Sequence, residues 1–284
     1  MASHSKPSLS EADRIQITTR SKYRGMLQVI QDTICDAEAH QLESSVLEKA
    51  GVLRQPLALD ENSKCKPFFF DRFREALEDM TDPNDPVLTR YVPDREDHDN
   101  VRGVHHFTER YIVDHEPVGV PGSYSASWGK INCGGLFETI FHWKASMIAL
   151  PVNHPEAWPY PPPEPTNPPL PHVKCLMESW VIGDDRLLRG EIKAIIRIMR
   201  SRLYARKLRP HLTAPVMVFS TVGPWHLRIL EAYFDGSKLV VRNTPLYDMR
   251  DHCEDEAFMQ DICRWWYGSC IGNTNVVHAN DRLA

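Results

Sequence analysis

No CxxC pair, G-x-S-x-G elbow, G-x-x-x-x-G-K-[ST] loop, G-x-G-x-x-G fingerprint or HExxH occurs anywhere in the 284 residues. These absences argue against a zinc ribbon, serine-hydrolase chemistry and enzymes fuelled by nucleotides or using dinucleotides. Long apolar runs are missing too. The longest, near Ala145 to Val152, falls well short of the roughly 18 residues that read as a bilayer span. The opening stretch MASHSKPSLSEADR has no apolar h-region, so no secretory signal is expected and the expected location is cytoplasmic or nuclear. Basic charge is not in excess: 33 Lys and Arg against 38 Asp and Glu give a net charge of −5. Any contact with nucleic acid therefore needs a local basic patch. The seven cysteines are odd in number, which suits reduced thiols better than a disulfide framework.

The length fits one large domain or two small ones, with enough chain to bury a core. Residues 1–20 are polar and read as a disordered tail. Residues 21–150 read as a helical N-terminal part. Within it, Leu27, Ile30 and Ile34 and then Leu42, Val46 and Leu47 recur at helical spacing, Asp36 to His40 breaks the run, and Gly51 stops it. A further helix is expected from Pro67, with Phe69, Phe70, Phe73, Leu77 and Met80 along one side. Residues 82–100 read as an acidic loop. Leu136 to Leu150 fits either a helix or a buried strand.

Residues 151–172 form a proline-rich linker, with ten prolines between Pro151 and Pro171. Such a run favours polyproline II and serves as a spacer, as a lid, or as the ligand of a proline-recognition partner. Residues 173–284 carry the clearest patterns. Val173 to Ile182 and Leu187 to Ile196 are expected strands joined at Asp184-Asp185. A helix follows over Arg197 to Arg209, stopped by Pro210, and then a strand over Val216 to Ser220. Leu227 to Phe234 and Lys238 to Asn243 make a hairpin around Asp235-Gly236, and Glu254 to Tyr267 is a closing helix capped by Gly268. Strand, helix, strand implies a parallel pair. The fold class is therefore α/β, in the mixed α+β sense, with a helical N-terminal part and a mixed-sheet core.

The chemistry concentrates at the expected hairpin. A turn centred on Asp184-Asp185 sets Glu178 opposite Glu191, with Lys193 on the same face by strand alternation. Like charges facing each other are unfavourable, and a divalent cation between them resolves the conflict. Two carboxylates hold such an ion with room for water and a phosphate, and a nearby lysine steadies developing charge. A solvated strand face uses the same residues differently, with Glu178 pairing Lys193 diagonally or Glu191 pairing Arg189. Downstream, residues 186–209 hold nine Lys or Arg against one acid, Glu191. Arg197, Arg200 and Lys207 fall near one helix face, which fits phosphate contacts or a plain solvated face. His98, His105, His106 and His115 cluster with Asp97, Asp99 and Asp114, without a recognised ligand spacing.

An acid on one strand, E-x-K on the next, then a helix and a strand resembles the core of the PD-(D/E)xK nuclease-like superfamily, over about Val173 to Ser220. The resemblance implies a restriction-endonuclease-like sheet and a Mg²⁺- or Mn²⁺-dependent nuclease, or an inactive nucleic-acid-binding relative. It makes Glu178 and Glu191 metal ligands and Lys193 the catalytic lysine. The family's core is also preceded by a helix with a further acid, for which Glu138 is the candidate. Met177-Glu178 stands where the family usually has an aspartate. Ala214 to Met249 and the later CRWWYGSCIGNTN also resemble segments of uncharacterised proteins of filamentous fungi. That likeness implies, as the alternative, a non-enzymatic regulatory or accessory protein of a fungal gene cluster.

Overall fold

The computed structural model describes residues 10–78, 98–115, 117, 128–131, 137–138, 143–151 and 169–276. It is a mixed α+β structure with a sheet between two helical layers. The helices are α1 (Glu11–Cys35), α2 (Ser44–Ala50), α3 (His98–Asp114), α4 (Arg189–Tyr204), α5 (Met249–His252) and α6 (Glu256–Tyr267). The strands are β1 (Gln41–Leu42), β2 (Val52–Pro56), β3 (Trp128–Ile131), β4 (Phe137–Glu138), β5 (Trp143–Pro151), β6 (Val173–Ile182), β7 (Leu187–Leu188), β8 (Val216–Gly223), β9 (His226–Phe234), β10 (Leu239–Asn243) and β11 (Tyr247–Asp248). None of the described helices is long and apolar enough to cross a membrane.

The main sheet runs β2-β10-β9-β8-β6-β5-β3, with β11 on β9 and β4 on β5. β6 and β8 are parallel, as the strand–helix–strand pattern requires, and α4 connects them. β2 pairs in parallel with β10, so the two ends of the chain share one sheet. The linker leaves β5 at Pro151 and returns into β6, which pairs antiparallel with β5. Residues 152–168 lie outside the described residues.

Side-chain alternation along the central strands divides the core. Val173, Cys175 and Met177 of β6 face a front layer of α1, α2 and α4. Leu176 of β6, with Met217 and Phe219 of β8, faces a back layer of α3, α6 and the segment carrying Phe69 and Phe70. Several expected elements are present. The β9–β10 hairpin turns at Asp235, whose Oδ1 accepts from the Ser237 and Lys238 amides at 2.8 and 2.7 Å. α2 stops at Gly51, whose φ of 79° is left-handed and favours glycine.

Four expectations are corrected. The N-terminal tail is not unstructured to residue 20: α1 begins at Glu11, with Ser10 and Asp13 forming a capping box. Residues 21–150 are not a helical part, because they supply β1 to β5. No helix starts at Pro67, and Met80 lies outside the described residues. The Phe68 and Phe69 amides instead donate to the Glu231 carboxylate at 2.7 and 2.8 Å. The chain then crosses the end of α6, where the Asp71 amide donates to the Ser269 carbonyl. A Cβ on Gly268 would stand 1.8 Å from the Asp71 carbonyl oxygen, so glycine is required there by close approach. Finally, Leu187 to Ile196 is not a strand. After the two residues of β7, the chain enters α4 at Arg189. Ile192, Ile195, Ile196, Met199 and Leu203 then fall on the helix's buried side.

Candidate nucleic-acid interface

Glu191 is the third residue of α4, and its position explains its chemistry. Its Oε2 reaches back to accept from the Leu188 amide at 2.8 Å, satisfying a donor at the helix start. Arg228 of β9 grips the same carboxylate with both arms, Nε to Oε1 at 2.7 Å and Nη2 to Oε2 at 2.5 Å. Both side chains are fully buried, and Arg228 also donates to the Arg186 carbonyl at 2.9 Å. The carboxylate is thus a helix cap and half of a buried ion pair. Lys193, two residues further along α4, is buried as well. Residues two apart on a helix point to different sides, so Glu191 and Lys193 do not share a pocket face.

Glu178 of β6 is also fully buried, but on the back face. Its strand neighbours Leu176 and Lys174 face the back layer, and its register partner on β8 is Thr221. The Trp180 indole donates to its Oε1 at 3.1 Å. The Thr221 hydroxyl donates to the Met177 carbonyl at 3.1 Å and lies 3.2 Å from Nδ1 of His105 on α3. The sheet therefore stands between Glu178 and the Glu191–Lys193 turn, and the expected three-group cradle for Mg²⁺ or Mn²⁺ is not assembled from these residues. Glu138 lies on strand β4, opposite Trp143 in register, and not on a preceding helix. Among the described residues, no group of three or more His, Cys, Asp or Glu gathers to hold a metal ion. Of the histidines in the expected cluster, His105 of α3 lies against Thr221, and His115, just after that helix, has Nδ1 2.9 Å from the Tyr111 carbonyl.

The basic residues downstream have a different fate. Residues 192–210 contain no acid. Ile192, Ile195, Met199 and Leu203 hold α4 against the front core. Arg197 and Arg200 stand half-buried beside them, Arg206 and Lys207 are exposed in the turn that follows, and Arg209 is half-buried. Arg202 faces inward and donates to the Leu170 carbonyl at 3.1 Å. α1 packs along this helix and adds two cations that the sequence reading missed. Arg20 closes the end of α4, donating to the Arg202 and Ala205 carbonyls at 3.0 and 3.2 Å. Arg24 donates to the Leu203 carbonyl at 3.0 Å. Burial pushes the Arg20 guanidinium down to about 10, and the charges of Arg24, Arg209 and Arg202 push the same way. The signal for this pair was the four-residue spacing of Arg20 and Arg24, on a helix some 180 residues from its partner.

Of the proline-rich segment, Pro151 at the end of β5 and the final residues from Pro169 fall in the described part. Arg202 and His211 hold those final residues, the latter with Nε2 3.1 Å from the Pro169 carbonyl. No family model, curated protein or solved structure matches the chain.

Proposed function

We propose that this protein binds nucleic acid by its phosphate backbone, along the ridge of α4, on a nuclease-like scaffold whose E-x-K triplet serves folding rather than cleavage. The observation that carries the reading is the acid-free run over residues 192–210. Its apolar side is buried, which leaves Arg197, Arg200 and Lys207 on the outer side with Arg24 of α1 next to the helix end. Arginine and lysine on a rigid helix suit phosphate oxygens, and a local cluster suffices although the whole chain is acidic. The parallel β6–α4–β8 path supports the restriction-endonuclease-like type. The buried Glu191–Arg228 pair supports a role without metal-dependent hydrolysis at that glutamate.

The test is anisotropy of labelled oligonucleotides at about 50 and 200 mM salt. Binding through three phosphates gives a log–log salt slope of roughly −2 to −3. Replacing Arg197, Arg200 and Lys207 together by alanine is expected to abolish most of that slope, while Lys49→Ala and Lys238→Ala, on the far side of α2 and in the hairpin turn, leave it unchanged. Salt-insensitive binding, or a slope untouched by the triple variant, defeats the proposal. Plasmid nicking with Mg²⁺ or Mn²⁺ that disappears in Glu178→Gln would restore the nuclease reading. A second reading is a docking protein for a proline-recognition partner. It is favoured by the anchoring of Pro169, Leu170 and Pro171 to His211 and Arg202, and capture of such a partner by wild type but not by a chain with glycine at Pro159, Pro162 and Pro165 would support it.

A further inference from the structure

We infer that the nucleic acid taken by this ridge is single-stranded, with the ring of Tyr204 as the platform on which one base stacks. The inference rests on the phosphate-binding reading and adds the substrate class to it. Tyr204 is the last residue of α4 and is 78% exposed, the highest value among the exposed large hydrophobic side chains of the described residues. Its neighbours are cations. Arg197, Arg200 and Tyr204 recur at intervals of three and four, which aligns them in one stripe on the helix surface. Arg206 and Lys207 follow in the turn. The guanidinium carbon of Arg24 lies 5.5 Å from the ring centroid, and Arg24 is held there by the Leu203 carbonyl.

A ring so exposed gains little from the protein's own core, which α4 fills with Ile192, Ile195, Met199 and Leu203 instead. An aromatic face set among positive side chains suits a partner that is both anionic and aromatic. A single strand offers this combination, because its phosphates meet the arginines while its bases are free to stack. A duplex keeps its bases stacked on each other and offers a ring on a helix end only backbone and groove edges. A polyanion without bases offers the arginines their ligand and the tyrosine nothing.

The experiment uses the full chain with three probes: an oligothymidylate of about 15 nucleotides, a duplex of the same length and inorganic polyphosphate. The expected result is tighter binding of the single strand than of the duplex. Tyr204→Ala is expected to weaken the single strand by about tenfold or more while leaving polyphosphate unchanged, and Tyr204→Phe is expected to retain wild-type affinity. Equal affinity of Tyr204→Ala and wild type for the single strand, or preference for the duplex, overturns the inference. If all three probes bind alike and depend on Arg197 and Arg200, phosphate binding stands and the stacking role falls. If none binds, both fall together. Tyr204 is exposed, so an unchanged thermal melt is expected to accompany the variant and separate lost affinity from lost folding.

Discussion

On the front of the sheet, Glu191 at the start of α4 holds Arg228 of β9; on the back, Glu231 of β9 holds Arg242 of β10 at 2.7 Å. Both pairs are fully buried, and each ties an irregular stretch to the sheet. Arg228 donates to the Arg186 carbonyl, and Arg242 donates to the Cys65 and Lys66 carbonyls at 2.8 Å while stacking on Phe68. A second device is shared as well: a buried cation at the end of a long helix. Arg20 closes α4, and Lys174 closes α6 by donating to the Trp265, Trp266 and Gly268 carbonyls. The faces differ in what remains outside. The front layer keeps the half-buried Arg197 and Arg200 along α4, whereas the cations buried behind the sheet, Lys174 and Arg242, are engaged in bonds to carbonyls and carboxylate. Of the acids that the sequence offers as a catalytic kit, Glu191 is a helix cap and half of a buried ion pair, and the exposed positive charge of the front lies instead in the turn after α4, at Arg206 and Lys207.

The largest expected effect comes from unpairing the acids. Arg228→Met leaves Glu191 buried with one amide donor, and Arg242→Met leaves Glu231 with two, from Phe68 and Phe69. Each is expected to cost about 3–5 kcal/mol in urea unfolding, with Arg228→Met the more severe. The reverse order would break the parallel between the faces. Replacing Glu191 by Gln together with Arg228→Met is expected to recover part of the loss, because no buried charge is then stranded.

The next effect sharpens the contrast through pH. His172 packs on the back face against Phe69 and Phe70, with Nε2 3.0 Å from the Ile271 carbonyl. Burial pushes its ring from the ordinary 6.5 down to about 3. The unfolded ring takes up a proton below about 6.5 while the folded one stays neutral, so stability is full above that value and is lost as pH falls toward 3. Between about pH 7 and pH 5 this amounts to roughly 2 kcal/mol. His172→Gln is expected to remove that share of the acid sensitivity, measured by urea unfolding at both pH values. A variant as acid-labile as wild type would refute the assignment.

The smallest effect belongs to the front. Ser10→Ala removes the oxygen that accepts from the Asp13 amide at 3.1 Å and is expected to cost about 1 kcal/mol. Hydrogen exchange is expected to quicken in the first turns of α1 and not in α6; equal change in both would show that the cap acts on the whole molecule.

What the sequence disclosed follows from how local each signal is. Asp235-Gly236 between two apolar runs announces a hairpin by itself, and the spacing of Phe258, Ile262, Trp265 and Trp266 announces α6. The opening of α4 reads as a strand because Ile192, Ile195 and Ile196 are β-branched, and their bias toward strands is overridden here by burial on one helical stripe and by the Glu191 cap. The aromatic run from Phe68 to Phe73 looks helical, yet its amides are claimed by Glu231 and by the end of α6, both far off in sequence. The geometry of the candidate site turns on the same long-range choice. Glu178 and Glu191 share a strand-pairing register only if residues 187–196 extend, and one helix turn moves them to opposite sides of the sheet. The first turns of α1 give little helical signal because they bury little apolar surface; their inward residue is Arg20, whose partners lie near residue 205.

Lys174 gives the molecule an internal reporter. Its nitrogen is enclosed beneath the last helix, where it donates to three carbonyls, and burial holds its proton affinity well below the ordinary lysine value. A reagent that acylates amines therefore meets this nitrogen only in molecules that have opened at the final helix, locally or globally, whereas Lys22, on the surface of α1, is open to modification throughout. The ratio of the two labelling rates reads out how often this nitrogen is uncovered, and a rate above that of global unfolding reports the C-terminal segment detaching by itself.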